Sequence, residues 1–374
     1  MLPLKNVKIL DLSEGLECNL ATMYLTRFGA DVTKLEKPEG DCVRKWEPIK
    51  NGESLYFQYL NSGKKSIVLD ITKDEDMEKF KEIICLFDVV CVSDKTGYIE
   101  SLGIGYEEIK KIKKDIIYVS YSYFGKNGSL SKKSGSSLVA QALGVAMDMT
   151  GVRGEEPVQS APTIAEHYAS GYIATGIMFA LIDKVKRGVG QMIDISLQDA
   201  IFSSIEAAPA AYSTVKELHT RKGNFDPSCA PYDTFETSDG YVSVGCATQI
   251  QWERFCDILG FDELKCDPRF LTNEGRRTDY IDILRPILAE KMIKMNKLDV
   301  EAKCRKLGIP CCAVLNIAEI TDMKNTRENG FIQKITNEKI GEMIFPALPF
   351  SLKNTESFVS SYSSEKGENN NEIL

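Results

Sequence analysis

In the first half of the chain, short apolar runs alternate with segments whose apolar positions fall at helical spacing. KNVKILDLS reads as a strand, LATMYLTRFGA as an amphipathic helix closed by Gly29, and DVTKLEKP as a second strand. KKSIVLDIT, DVVCVS and IIYVSYSYFG continue the strands, with helices over DEDMEKFKEIICLF and YEEIKKIKKD between them. This order predicts an α/β fold, a Rossmann-like doubly wound parallel sheet with helices on both faces. The segment 142–183 is rich in Ala, Gly and Met at helical spacing, and MIDISL is strand-like. From 213 to 231 the chain turns polar and loses its period, which predicts a linker. YDTFETSDGYVSVGC predicts a hairpin turning at Asp239-Gly240, followed by a helical block over 249–306. The closing SYSSEKGENNNEIL is polar and expected to be mobile at its end.

Composition narrows the function. A chain of 374 residues has room for one large domain or two medium ones. A net charge of −8 and a pI near 5.2 argue against nucleic acid as a partner, since phosphate binding leaves a basic footprint. No apolar run is long enough to span a membrane, and MLPLKNVKILDLSEG lacks the features of a signal peptide. The eleven cysteines are scattered, with no CxxC at metal-ligand spacing; reduced thiols in the cytoplasm and no metal are expected. The turn after the first strand, SEGLECN, is not GxGxxG, and no GxxxxGK[ST] occurs. Gly188–Gln191 is too short to cradle a polyphosphate. Nicotinamide and P-loop chemistry are therefore unsupported.

The stretch APTIAEHYASGYIATG at 161–176 places His167, one of two histidines, directly after Glu166. Thr163 and Glu166 match a capping box, with Pro162 at the helix entry. A carboxylate in a first turn is also stabilised by the helix dipole. On local pattern Glu166 is either a cap or a reactive carboxylate, and His167 either structural or an orienting group.

Several ordered segments resemble the class III CoA-transferases, the group that includes formyl-CoA and carnitine CoA-transferases. FGADVTKLEKPEGDCVRKW is similar to the family's GAD-V-K-E-P-GD-x-x-R signature, and LNSGKKSIVLDI to its N-x-x-K-R-S-x-x-LD segment. DKTGYIESLGIGYEEI, IIYVSYSYFGKNG, VAQALGVAMDMTG, GVGQMIDISLQDAIF, PYDTFETSDGYVSV, LGIPCCAVLNIAEI and KGENNNEIL follow in the family's order. The resemblance implies a large Rossmann-like domain over 1–212, completed by 335–374. It also implies a linker with a glycine loop over 213–231, a smaller α+β domain over 232–334, and an interlocked homodimer.

The resemblance further implies a CoA-transferase that moves CoA from an acyl-CoA donor to a carboxylic acid acceptor. The intermediates would be mixed anhydrides and an enzyme glutamyl-CoA thioester, and no metal is needed. Counting back from Gly176-Ile177 without gaps puts Glu166 where the family carries its catalytic aspartate. Counting from Gly171 would select His167 instead; the first register needs no insertion and keeps Pro162 at its usual distance. His167 is carried as a neighbour that orients substrate or adjusts charge. For CoA, Lys37 stands where the family often has an arginine, Arg44 is the GD-x-x-R arginine, and Leu69 and Leu102 lie at apolar positions beside the adenine. Gln141 falls near the active site, and Gly223 in RKGN would be the pivot of the glycine loop. Two departures stand out: Leu16-Glu17-Cys18-Asn19 replaces a small-residue turn, and Ser101 replaces an arginine. Two alternatives share the fold. One is an acyl-CoA racemase, whose histidine would fall where Ser136-Ser137 stand; the other is a non-catalytic CoA-binding subunit of a paired transferase.

Overall fold

Ile9 and Leu10 are adjacent and both fully buried, yet they pack into different cores, because successive side chains of a strand face opposite ways. That requires a sheet covered on both faces, which is what the apolar runs predict. The computed structural model describes residues 2–94, 97–160, 163–355 and 362–374.

The elements that build the main sheet and its flanking helices are β1 (Lys8–Asp11), α1 (Glu17–Thr26), β2 (Asp31–Glu36), β3 (Lys65–Val68), α2 (Asp74–Ile83), β4 (Val89–Ser93), α3 (Tyr106–Ile112), β5 (Ile117–Ser122), α4 (Ser137–Leu143), α5 (Ile164–Arg187) and β6 (Met192–Ser196). All six strands run parallel in the order β3-β2-β1-β4-β5-β6. This is the doubly wound Rossmann order, with its switch in direction at β1. One core face joins Ile9, Val32, Val89, Ile117 and Val119 to α1 and α5; the other joins Leu10, Leu35, Ile67, Val90 and Tyr118 to α2 and α3. Helix α5 buries Ala165, Ala169, Ile173, Ile177 and Ala180, a stripe spaced for one helix face, and small side chains let it approach α1 closely. It stops at Gly188, whose φ of 72° is the left-handed conformation that helix ends favour in glycine.

The chain forms two compact units. The first comprises Met1–Asp148, Gln159–Leu218 and Lys324–Leu374; the second comprises Met149–Val158 and His219–Met323. The second unit contains β7 (Tyr232–Thr237), β8 (Gly240–Gly245), α6 (Gln249–Leu259), α7 (Lys297–Lys306) and β9 (Cys311–Ala313). Its antiparallel sheet, in the order β9-β8-β7, and its helices bury Trp252, Phe255, Leu288 and Val300. The hairpin turns beside Asp239-Gly240, with Thr237 paired to Gly240. Helix α6 begins with a complete capping box of Thr248 and Gln251.

Several expected boundaries differ. The segment 149–158 belongs to the second unit, because the Gly223 N–H donates to Gly151 O at 2.8 Å and Arg221 Nε to Glu155 O at 3.0 Å. A helix over Ala208–Val215 extends into the expected linker. The return to the first unit comes at 324, not 335, since β10 (Ile332–Asn337) and β11 (Gly341–Pro346) form one hairpin. Its Ile335, Ile340 and Met343 pack with Leu55 of the first unit. The chain end is anchored rather than mobile. Asn369 Oδ1 accepts from Ser66 N at 3.0 Å, Asn370 Oδ1 accepts from Val68 N at 2.8 Å, and Asn369 N donates to Ser66 O at 2.9 Å. These amides pair the open edge of β3, which would otherwise be exposed for mispairing.

Candidate active site

In an open parallel sheet, ligands bind beyond the carboxyl ends of the strands at the switch point. A cavity of about 370 Å³ lies there, walled by Leu12–Glu14 after β1, Leu35–Glu39 and Asp41 along and after β2, Leu69–Thr72 after β3, and Ser93, Tyr98, Ile99 and Leu102 after β4. Lys37, Leu69 and Leu102 are thus brought together. Leu69 and Leu102 also belong to the core beneath the cavity, so each serves packing as well. Lys37 Nζ pairs with Glu14 Oε1 at 3.0 Å and lies 6.0 Å from the Tyr98 ring. The wall carries five carboxylates (Glu14, Glu36, Glu39, Asp41, Asp70) against the ammoniums of Lys34 and Lys37. An anionic ligand here must draw Lys37 away from Glu14.

Arg44 does not line this cavity. Its guanidinium makes two 2.7 Å bonds to Glu36, donates to Ser364 O at 3.1 Å, and stacks 3.7 Å from the Phe57 ring centroid. Burial opposes charge on Glu36, but these bonds and Ser66 hold its carboxyl below the ordinary value. Arg44 therefore braces the end of β2. Ser101 caps its own turn, donating to Tyr98 O at 2.7 Å.

Below the cavity is a charge cluster that the sequence reading did not single out. Asp11, fully buried at the end of β1, pairs with Lys64 at 3.1 Å and accepts from Thr22 Oγ1 at 2.7 Å and Ser13 N at 3.0 Å. Lys34 pairs with Asp41 at 2.8 Å, lies 3.8 Å from Asp11, and donates to Ser13 O. Asn19, from the unusual LECN turn, ties the cluster together. It donates to Gly15 O at 2.6 Å and Asp41 at 3.0 Å, and accepts from Lys34 at 2.9 Å and Lys64 at 3.2 Å. Burial disfavours every charge here. Asp11, facing two lysines, nevertheless sits below the ordinary carboxylate range, and Lys34, facing two carboxylates, sits above its ordinary value. Lys64 shares Asp11 with Lys34, so burial wins and lowers it to about 8. The sequence signal was available: a lysine inside a strand buried on both faces must have a partner.

Glu166 lies in the first turn of α5, nine-tenths buried beside Ala165 and Ala169. The capping box does not form. Thr163 has φ 65° and makes no side-chain cap bond, so the backbone enters α5 in a left-handed conformation. Pro162 lies outside the described residues. Among the described residues Glu166 Oε2 has no hydrogen-bond partner. Gln141, fully buried in α4, accepts from Ser160 N at 3.1 Å and Ser160 Oγ at 2.7 Å, holding the segment that leads to Glu166. His167 points away: it is exposed, its Nδ1 lies 2.7 Å from Thr163 O, and it lines an apolar depression with Tyr24, Phe28 and Met178. Glu17, at the start of α1, is buried and accepts from Tyr121 OH at 2.5 Å. Gly223, with φ 70°, belongs to the second unit, and a Cβ there would meet nothing. Among the described residues no group of His, Cys, Asp or Glu is arranged to hold a metal ion, and no helix is long and apolar enough to cross a membrane.

The profile of CoA-transferase family III matches residues 4–370. The chain belongs to that family. It is 31% identical over 355 residues to a succinyl-CoA:mesaconate CoA-transferase of Haloarcula hispanica, covering 91% of this chain and 87% of the other. An acetyl-CoA:oxalate CoA-transferase of Acetobacter aceti is 30% identical over 334 residues, covering 89% and 86%. A succinyl-CoA:glutarate CoA-transferase of Mus musculus is 31% identical over 352 residues, covering 92% and 80%. The crystal structure of a CAIB/BAIF family protein from Brucella suis superposes with a TM-score of 0.91 at 30% identity, covering 99% of this chain and 98% of that one. As a family III member the protein is an enzyme that transfers CoA from an acyl-CoA to a carboxylic acid.

Proposed function

We propose that Glu166 is the nucleophile of this transfer. The observation that carries the reading is a carboxylate buried to nine-tenths in a helix first turn, with one oxygen that has no hydrogen-bond partner among the described residues. Leaving a buried acceptor unmade is costly unless a ligand completes it. The free N–H groups of the helix start favour negative charge on the carboxylate and on nearby oxyanions. In the scheme, a Glu166 oxygen attacks the thioester carbonyl, the C–S bond breaks, and a mixed anhydride and CoA thiolate result. The thiolate attacks the Glu166 carbonyl, giving a glutamyl-CoA thioester and the donor acid as a carboxylate. The acceptor carboxylate then attacks that thioester, and the released thiolate attacks the acceptor carbonyl, freeing Glu166. One carboxylate enters, one leaves, and no proton moves, so no step requires His167. Division into smaller barriers is what covalent catalysis supplies.

Lys37, Leu69 and Leu102 form part of the CoA pocket in this reading, while Arg44 and Gln141 act as positioning residues and Gly223 gives its loop freedom to move. Dicarboxylic acids are the substrates we assign, because mesaconate, oxalate and glutarate in the relatives' names share that chemistry. A reducing, cytoplasmic setting fits the eleven scattered cysteines. Incubation with succinyl-CoA, then hydroxylamine, followed by peptide mass spectrometry, should find a hydroxamate on the peptide containing Glu166. Product formation with that residue unmodified would remove Glu166 from the mechanism.

A homodimer belongs to the same reading. Helix α5 exposes Phe179 and Val185 at 68% and 87%, together with Tyr168, Tyr172 and Ile182, a large apolar face for a lone chain. Sedimentation velocity at micromolar concentration should show twice the chain mass; a monomer would contradict the dimer.

A further inference from the structure

The second unit holds a cavity of about 660 Å³, bordered by the glycine loop Arg221–Asn224, whose charged wall takes no part in the transfer scheme above. Arg153, Arg221, Lys222 and Arg285 line it, with Asp233 as the carboxylate on its wall. Arg285 is held in place rather than loose: its Nε donates to Asp233 Oδ2 at 2.7 Å, and its side chain stays 42% exposed. Asp233 is itself buried and fully engaged, accepting also from Tyr280 OH at 3.0 Å and from Thr234 N at 2.7 Å. One carboxylate therefore orients one guanidinium, Arg221 is held by its Nε bond to Glu155 O at 3.0 Å, and Lys222 helps to hold the Asp226 carboxyl below its ordinary value. Neither Arg153 nor Lys222 has a hydrogen bond or ion pair within the described residues.

The remaining wall mixes the polar Thr220 and Asn224 with an apolar side. Val152, Phe225 and Ile281 contribute to it, and Phe225 stacks on Tyr280 at 4.6 Å. A volume of this size lies within the range of about 300–1,000 Å³ that small-molecule sites occupy. A pre-oriented guanidinium among further cations suits a multiply charged oxyanion, and an aromatic flank suits an attached organic body.

The geometry points to an organic-phosphate site here, binding the polyanionic head among Arg153, Arg221, Lys222 and Arg285 and the body against Phe225. Such a head is carried by CoA itself and by free organic phosphates. The site is separate from the assignment of Glu166 and stands or falls without it.

Isothermal titration of the full-length protein with inorganic pyrophosphate tests it, comparing wild type with Arg153→Ala/Lys222→Ala. Both residues are exposed and make no hydrogen bond or ion pair among the described residues, so the variant should fold, which circular dichroism checks. Binding is expected to weaken at least tenfold in the variant. Repeating the wild-type titration after saturation with CoA identifies the source. Loss of the pyrophosphate heat assigns the head to CoA; its persistence assigns it to a separate organic phosphate. Equal binding by wild type and variant overturns the proposal. So does uptake of succinate without any uptake of pyrophosphate.

Discussion

Glu166→Gln is expected to abolish CoA transfer, lowering turnover by about 10³-fold or more. The substitution keeps the shape and removes the nucleophile: an amide cannot form the anhydride or the enzyme thioester. A merely structural Glu166 predicts the opposite balance, with lost stability and retained activity. Here Thr163 makes no side-chain cap bond and Oε2 has no hydrogen-bond partner among the described residues, so the amide gives up no cap interaction and no longer buries a carboxylate. Thermal stability should be unchanged or slightly raised. Glu166→Asp, which restores the family's residue, shortens the reach by about 1.5 Å and should retain measurable transfer. Transfer of CoA from succinyl-CoA to glutarate, followed by chromatography of the two thioesters, measures all three proteins. Full activity in Glu166→Gln would end the assignment.

Asp11→Asn should destabilise the first unit by about 3–5 kcal/mol, the cost of breaking a buried charge pair by removing one partner. The variant leaves Lys64 without its carboxylate and Lys34 with Asp41 alone. An amide NH₂ would also face either the Lys64 ammonium and Thr22 hydroxyl together or the Ser13 N–H, a donor against a donor in both orientations. The denaturant midpoint of the transition reporting this unit should fall accordingly. The effect has a pH signature. Asp11 is depressed below its ordinary 3.8, so its stabilisation is fully present above that pH and is lost as the pH falls toward the folded value. The gap between wild type and variant should therefore narrow below about pH 3.8. Lys64 works the other way: lowered from 10.5 to about 8, it carries a penalty that relaxes as the pH rises between those values. A midpoint change worth less than about 1 kcal/mol, or a gap that does not depend on acid, would count against the cluster as described.

Much of the fold was legible because doubly buried parallel strands must be apolar runs. That is how β1 to β6 could be placed in order, and how Asp239-Gly240 marked a hairpin. What escaped depends on residues that meet only after the sheet has formed. Asp11, Lys34 and Lys64 come from three strands or strand entries, and their pairing follows from the order β3-β2-β1. The amides of Asn369 and Asn370 read as a polar tail, because nothing local reveals that an edge strand lies about 300 residues earlier in the chain. For the site, Lys37, Leu69 and Leu102 follow successive strands and converge at the switch point for that reason. Arg44 fits the same motif, but the end of β2 sets Glu36 within its reach and takes up its fork. Glu166 was singled out by family register, and local pattern favoured a cap that the positive φ of Thr163 precludes.

The anchored chain end has a consequence for the order of synthesis. Every segment of the second unit has been made once residue 323 emerges, whereas the first unit begins at the N-terminus and takes its last piece from Lys324–Leu374. On the ribosome the smaller unit can finish while the edge of β3 stands open, shielded only when Asn369 and Asn370 have emerged. Closing a loop of that length adds little entropy per residue, so the delay is one of timing rather than of stability.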